Sequence, residues 1–256
     1  CGFTSVTIES GLTFIGSYAF EYCNNLTEII MPGSVTSIGN YAFHDCLGLT
    51  KVTIEKATEE GAATTIGTYV FNGCTALAEV TLADTVKSIG NYTFQNCTSL
   101  TSVTMKGVAQ IPEGAFEGCA ALTNITVGDV TSIAKRAFYG CASLTTITIP
   151  NTVTSIGTGA FYGCTSLTTV TIPNTVTSIG TDAFYGCSIE SVTIENGTIG
   201  DLAFHLCSKL TSVTIGKDVT SIGKYAFLNC SGLTTINYNG TKDDWNNLTK
   251  GLEWDY

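Results

Sequence analysis

The chain is 256 residues long, carries a net charge of −10, and is 44% hydrophobic but only 12% charged, so its polar surface rests on uncharged Thr, Ser, Asn and Gly. An acidic chain with no basic run repels phosphate backbones and anionic headgroups, which excludes nucleic acid as a partner. No apolar run exceeds about five residues, too short for a transmembrane segment, and no signal peptide is visible.

Residues 1–8, Cys1-Gly2-Phe3-Thr4-Ser5-Val6-Thr7-Ile8, match the second half of a unit that recurs along the chain. Its register is set by Phe20, Phe43, Phe71, Phe94, Phe116, Phe138, Phe161, Phe184, Phe204 and Phe227, most of them 23 residues apart. Five residues before each Phe stands an Ile, from Ile15 to Ile222, and three residues after it a Cys. Beyond the Cys comes a Leu or Ile and then an alternating triplet such as Val170-Thr171-Ile172. Its β-branched residues and its period of two predict a short strand with one covered face. Pro32, Pro150 and Pro173 end three of these strands, and Gly39, Gly90, Gly157, Gly180 and Gly223 follow the Ile where the chain turns.

Length varies mainly between the strand and the next Ile: residues 55–65 add five positions and the turn after Ile194 loses two. One coil cannot bury its own apolar side, so successive coils must stack into a continuous core. With strands about 4.8 Å apart, ten coils predict a rod or arc on the order of 50 Å long. The array is expected over residues 1–236, with about ten repeats and the first truncated. From Asn237 the pattern changes, and Trp245, Trp254, Leu248 and Leu252 in a helix-compatible context predict a C-terminal cap over 237–256. An open solenoid end exposes core side chains and strand edges, so the N-terminal end, with no such cover, is the expected point of end-to-end self-association.

All eleven cysteines, Cys1 included, occupy one position of the unit. Folding therefore lines them up as a ladder and does not gather four around a metal; no CxxC pair exists. Adjacent rungs are close, but parallel Cβ vectors disfavour bridging. The expected state is a column of buried free thiols behaving as small hydrophobes, with no cofactor. His44 and His205 stand seven coils apart, roughly 30 Å by the strand spacing, so they share no site. With no GxSxG, HExxH or Walker sequence, no catalytic residue, no metal ligand and no enzyme are predicted.

Two columns stand out on the predicted surface. The outward residue of each strand is Thr in nearly every coil: Thr7, Thr53, Thr81, Thr104, Thr126, Thr148, Thr171, Thr193 and Thr214. Two residues earlier the column reads Glu28, Lys51 and Glu79 and then turns neutral. Thr suits an exposed strand for its own sake; it also makes a flat, weakly hydrated face for a protein or glycan, and Thr81 to Thr214 of this column are the candidate ligand-binding residues. One residue after Phe, Tyr139, Tyr162 and Tyr185 follow one another in three coils, either as anchors for a partner or as edge packing between coils. A further run, Tyr18, Tyr41, Tyr69 and Tyr92, is expected to cover the core.

The unit running Cys164-Thr165-Ser166-Leu167-Thr168-Thr169-Val170-Thr171-Ile172-Pro173, then Val176, Ser178-Ile179-Gly180 and Ala183-Phe184, resembles the BspA-type leucine-rich repeat, and so does nearly the whole chain. Departures are local, at Ile111-Pro112, Ile133-Ala134, Val70-Phe71 and Thr93-Phe94. The resemblance implies a repeat solenoid: a right-handed leucine-rich repeat superhelix with one parallel β-sheet along one face and short turns or helical segments on the other. It implies an extracellular or cell-surface protein that adheres to host extracellular matrix, and no transferable binding residue. The function expected is binding through the strand face. The alternatives are a spacer segment of a longer surface protein and an ice-binding surface, the latter prompted by Thr146-Ile147-Thr148 and Thr169-Val170-Thr171.

Overall fold

The structure, a computed structural model, describes residues 1–59 and 61–254. It divides into two compact units, one ending at Val130 and the other beginning at Thr131. Each is a parallel β-solenoid of five turns, one per Phe register, and the single helix among the described residues is Lys242–Asn247.

The expected strands form a broad ladder. In the first unit Glu28–Met31, Lys51–Ile54, Glu79–Leu82, Ser102–Met105 and Asn124–Val127 pair in parallel, position for position. In the second, Thr146–Thr148 pairs Thr169–Thr171, and Ser191–Ile199 pairs Ser212–Ile222, which pairs Thr235–Tyr238. A second, narrower ladder runs through the Ile position, as in Phe14–Ile15 beside Ser37–Ile38 or Ser155–Ile156 beside Ser178–Ile179. Between the two, Val35, Val153 and Val176 donate to Pro32, Pro150 and Pro173 in tight turns. In the ninth and tenth coils a single long strand, Ser191–Ile199 and Ser212–Ile222, runs through both ladders.

A third ladder passes through the Phe segment. Phe43, Phe71, Phe161 and Phe184 each donate their N–H to a carbonyl of the following coil, at 2.7–2.9 Å. The rings stack nearly parallel, with centroids 4.9–5.5 Å apart from Phe20 to Phe116 and 5.1–5.4 Å apart from Phe138 to Phe227. Burying each ring contributes about 1.5–3 kcal/mol, and the offset contact adds about 0.5–1.5 kcal/mol.

The Phe segment turns sharply because two residues per coil are left-handed. Two positions before Phe these include Tyr18, Tyr41, Tyr69, Tyr92, Arg136 and Asp182; two positions after it, Asp45, Asn96, Gly140, Gly163 and Gly186. This corrects the expectation that Tyr18, Tyr41, Tyr69 and Tyr92 cover the core. A left-handed backbone aims these side chains outward, and they stack on one another at 4.8–5.1 Å, with Tyr18 55% exposed.

Nine cysteines are buried free thiols, as expected. Along this column the thiols, among them those of Cys46, Cys119, Cys164 and Cys230, donate Sγ–H to the Phe carbonyl of the coil before, at 3.0–3.2 Å. The reading of the whole column as free thiols fails at its first rung, where Cys1 and Cys23 form a disulfide with Cα atoms 4.9 Å apart. Parallel Cβ vectors forbid a bridge only where hydrogen bonds hold both backbones in register. Among the described residues the first such tie of Cys1's coil is Thr4 accepting from Thr27, three residues beyond Cys1.

Beyond Tyr238 the chain departs and then returns to register. Helix Lys242–Asn247 is held by a capping box in which Asp244 N–H donates to Thr241 Oγ1 at 3.1 Å and Thr241 N–H to Asp244 Oδ2 at 2.9 Å. Thr249–Lys250 then pairs with Ser221–Ile222, and Trp254 offers its carbonyl to Phe227 N–H at 2.8 Å. Lys250 thus stands at the Ile position and Trp254 at the Ala position, with the indole edge-on to the Phe227 ring at 6.4 Å.

Candidate binding surface

Alternation along the broad ladder sends Val, Ile and Leu inward and the residues between them outward. In the first unit Thr53, Thr81, Thr104 and Thr126 fall in register on the outward face. Beside them Lys51 Nζ lies 4.0 Å from Glu28 and 3.8 Å from Glu79, an exposed ion-paired column, and Ile30 takes the Thr place with 47% exposure. In the second unit Thr148 pairs Thr171, and Thr193 pairs Thr214 and then Asn237. Two residues earlier the column is Thr146, Thr169, Ser191, Ser212 and Thr235.

The hydroxyls of this face differ from others in the chain. Thr50 donates to Thr27 O at 2.9 Å, Thr177 to Thr154 O at 3.2 Å and Thr211 to Glu190 O at 3.0 Å, ties between coils at the strand starts. Among the described residues no hydrogen bond within the chain occupies the hydroxyls of Thr81, Thr104, Thr126, Thr148, Thr171, Thr193 or Thr214. Much of the Thr content therefore serves the fold, while the outward Thr residues are aligned, within each unit, by the backbone pairing of their strands.

The tyrosine column is half-buried. Tyr139, Tyr162 and Tyr185 stack at 4.6 and 4.4 Å, Arg136 lies 5.1 Å from the Tyr139 ring, and His205 continues the stack at 5.0 Å from Tyr185. Their faces are spent on one another, which is the inter-coil packing weighed against an anchoring role, and only their edges meet solvent. In the other run Tyr92 donates to Glu113 Oε1 at 2.8 Å; desolvation, then this carboxylate, pushes its phenol up to about 12.

His44 Nδ1 lies 3.5 Å from Glu21 and 3.6 Å from Asp45 without a hydrogen bond. The buried His205 has no partner for Nδ1, and burial lowers its pKa. Among the described residues no three His, Cys, Asp or Glu side chains are grouped to hold a metal. Burial pushes the Cys119 and Cys164 thiols up to about 12, whereas the neighbouring Cys74 and Cys207 thiols lower those of Cys46 and Cys230. No helix of the described residues is long and apolar enough to cross a membrane.

Against known proteins, the family described as the BspA type leucine rich repeat region matches residues 1–63, 59–141 and 131–248. A leucine-rich repeat protein of Bacteroides ovatus is similar at 27% identity with a TM-score of 0.69, over 98% of this chain and 71% of that one. Another, of Eubacterium ventriosum, is similar at 26% identity with a TM-score of 0.58, over 97% and 72%. The pneumococcal vaccine antigen PcpA, at 20% identity and a TM-score of 0.54 over 92% and 62%, shares the fold. No curated protein matches the chain.

Proposed function

The chain belongs to the BspA-type leucine-rich repeat family, and from that membership we propose that it is a non-enzymatic adhesion module, displayed at the cell surface or secreted, that recognises host or matrix macromolecules through its strand face. The observation that carries this reading is the set of outward Thr residues, in register along the paired strands of each unit, whose hydroxyls make no hydrogen bond among the described residues. A rigid row of identical side chains costs little entropy to order on binding, and each rung added to a contact raises avidity. The buried thiols and isolated histidines offer no nucleophile paired with a base, which supports a binding role over a catalytic one.

The test is a panel of extracellular-matrix proteins, mucins and glycans probed with the chain and with a variant carrying Glu at Thr126, Thr148, Thr171 and Thr193. Specific binding by the parent chain, lost in the variant while the melting curve is kept, is the expected result. Binding that survives the four substitutions would move recognition off the strand face. Silence across the panel, with a known adhesin scoring positive, would favour the spacer reading.

A further inference from the structure

The strand faces of the two units differ in chemistry. The first carries the Glu28, Lys51 and Glu79 column and the exposed Ile30. On the second, every outward strand position from Thr146 to Thr235 within the two columns is Thr or Ser, with Asn237 closing the outer column. No charged, aromatic or aliphatic side chain stands in this array; Glu190 and Glu195 flank it. Thr148, Thr171 and Thr193 are exposed, and Thr214 is half-buried.

We propose that this hydroxyl array on the second unit binds an uncharged polysaccharide chain. The inference rests on the strand face being the binding surface, and it names the ligand class. A protein partner is anchored by Trp, Tyr or Arg in desolvated pockets, and Ser and Thr are under-represented among such anchors; this face offers none of the first and only the second. A charged partner finds no counter-charge within the columns. An uncharged polysaccharide presents hydroxyls that both donate and accept, and a Ser or Thr hydroxyl does both in return. The Thr methyl beside each hydroxyl meets the C–H surface of a sugar ring. Rungs recur about every 4.8 Å within each paired group of strands, Thr146–Thr148 with Thr169–Thr171 and Ser191–Ile199 with Ser212–Ile222 and Thr235–Tyr238, so a polymer laid along them repeats one weak contact several times. The stiff Thr side chain loses little rotamer freedom in doing so.

The experiment measures binding of the full chain to a soluble β-glucan, a dextran and a mannan, with heparin and hyaluronan alongside. It is run at low and at high salt, between which the Debye length falls from about 30 Å to about 3 Å. Binding to at least one neutral polysaccharide, unchanged by salt within about twofold, is expected. The quadruple variant Thr148→Val, Thr171→Val, Thr193→Val and Thr214→Val, which keeps β-branching, is expected to lose about tenfold or more in affinity. The matching Thr→Ser quartet keeps the hydroxyls and is expected to stay within about threefold of the parent chain. Lys51→Gln, on the other unit, is expected to change nothing. No binding to any of the three neutral polysaccharides, binding that collapses with salt, or a Val quartet that binds like the parent chain would each overturn the inference. If a protein partner is lost on strand-face substitution while the neutral polysaccharides fail, the ligand class is wrong and the binding face stands. Thermal hysteresis without polysaccharide binding would also overturn it and assign the array to ordered water.

Discussion

At the Cys position one side chain fills the core and also caps a backbone acceptor. The Phe138 carbonyl takes Cys141 N–H at 3.1 Å within its own coil and the Cys164 thiol at 3.2 Å from the next. Ala at this position would leave a gap and remove one of those two donors. Cys164→Ala is expected to destabilise by about 1–2 kcal/mol, read as a lowered urea midpoint. The same burial makes stability depend on pH. An unfolded thiol titrates near about 8.5, whereas Cys119 and Cys164 are held up to about 12 by desolvation. The folded state therefore keeps the proton longer, and its advantage is complete below about pH 8.5 and lost as pH rises toward about 12. The unfolding midpoint is expected to be flat on this account through neutral pH and to fall above about pH 8.5, by on the order of 1.4 kcal/mol per pH unit per thiol. A midpoint that rises with alkali would contradict this picture. The glycines separate in the same way by local cause. A Cβ at Gly180 would lie 2.5 Å from Thr158 N and 2.7 Å from Gly157 C, whereas Gly186, at φ +69, has nothing within 4 Å. Gly180→Ala must push two coils apart and is expected to cost about 3 kcal/mol or more. Gly186→Ala meets only the left-handed penalty of about 1–2 kcal/mol, and Gly186→Asn still less, as thermal melts would register.

Among the elements, the Phe stack and the last half-coil carry the clearest consequences. Phe161 is fully buried between Phe138 and Phe184, at 5.2 and 5.1 Å. Phe161→Ala is expected to cost about 3–5 kcal/mol. Because each coil touches only its neighbours, the loss should appear as weakened cooperativity and not only as a lower midpoint. Hydrogen exchange that quickens first around Ala160 and Ala183 would check it. At the other end of this unit, Trp254 continues the carbonyl ladder and lies edge-on to Phe227. Trp254→Ala is expected to release the 249–254 segment and raise exchange at Phe227 N–H, leaving the coil at Phe161 unaffected.

For the molecule as a whole, low charge and high hydroxyl content set the terms of recognition. Only 12% of the residues are charged, and none stands within the two strand-face columns of the second unit, so charge pairing contributes little there. Partners held on the second unit's strand face are expected to bind and leave with little response to salt, whereas any contact that uses Lys51 or Glu79 should weaken as salt rises. Comparing the salt dependence of Lys51→Gln with that of the Thr→Val quartet separates the two faces.

The constant Ile-to-Cys spacing and the period-two triplets determined by themselves that the chain is a solenoid, where its strands lie, and which residues face in, because each follows from the pattern of apolar side chains along the backbone. Two further features are legible in the same pattern. Asp45, Asn96, Gly140, Gly163 and Gly186 recur two places after Phe, residue types that tolerate left-handed backbone. The Ser-Ile pairs also recur in step with one another, which is the narrow ladder. Other features are decided only by the distance between coils. The Cys1–Cys23 bridge, the thiol-to-carbonyl bonds and the stacking of Tyr139 on Tyr162 depend on atoms about 23 residues apart in sequence coming within bonding reach. The same holds for the division of threonines into those that tie one coil to the next and those left free. Thr211 and Thr214 are alike as residues, and only the position of the Glu190 carbonyl one coil away ties down the hydroxyl of the first, while that of the second makes no hydrogen bond among the described residues.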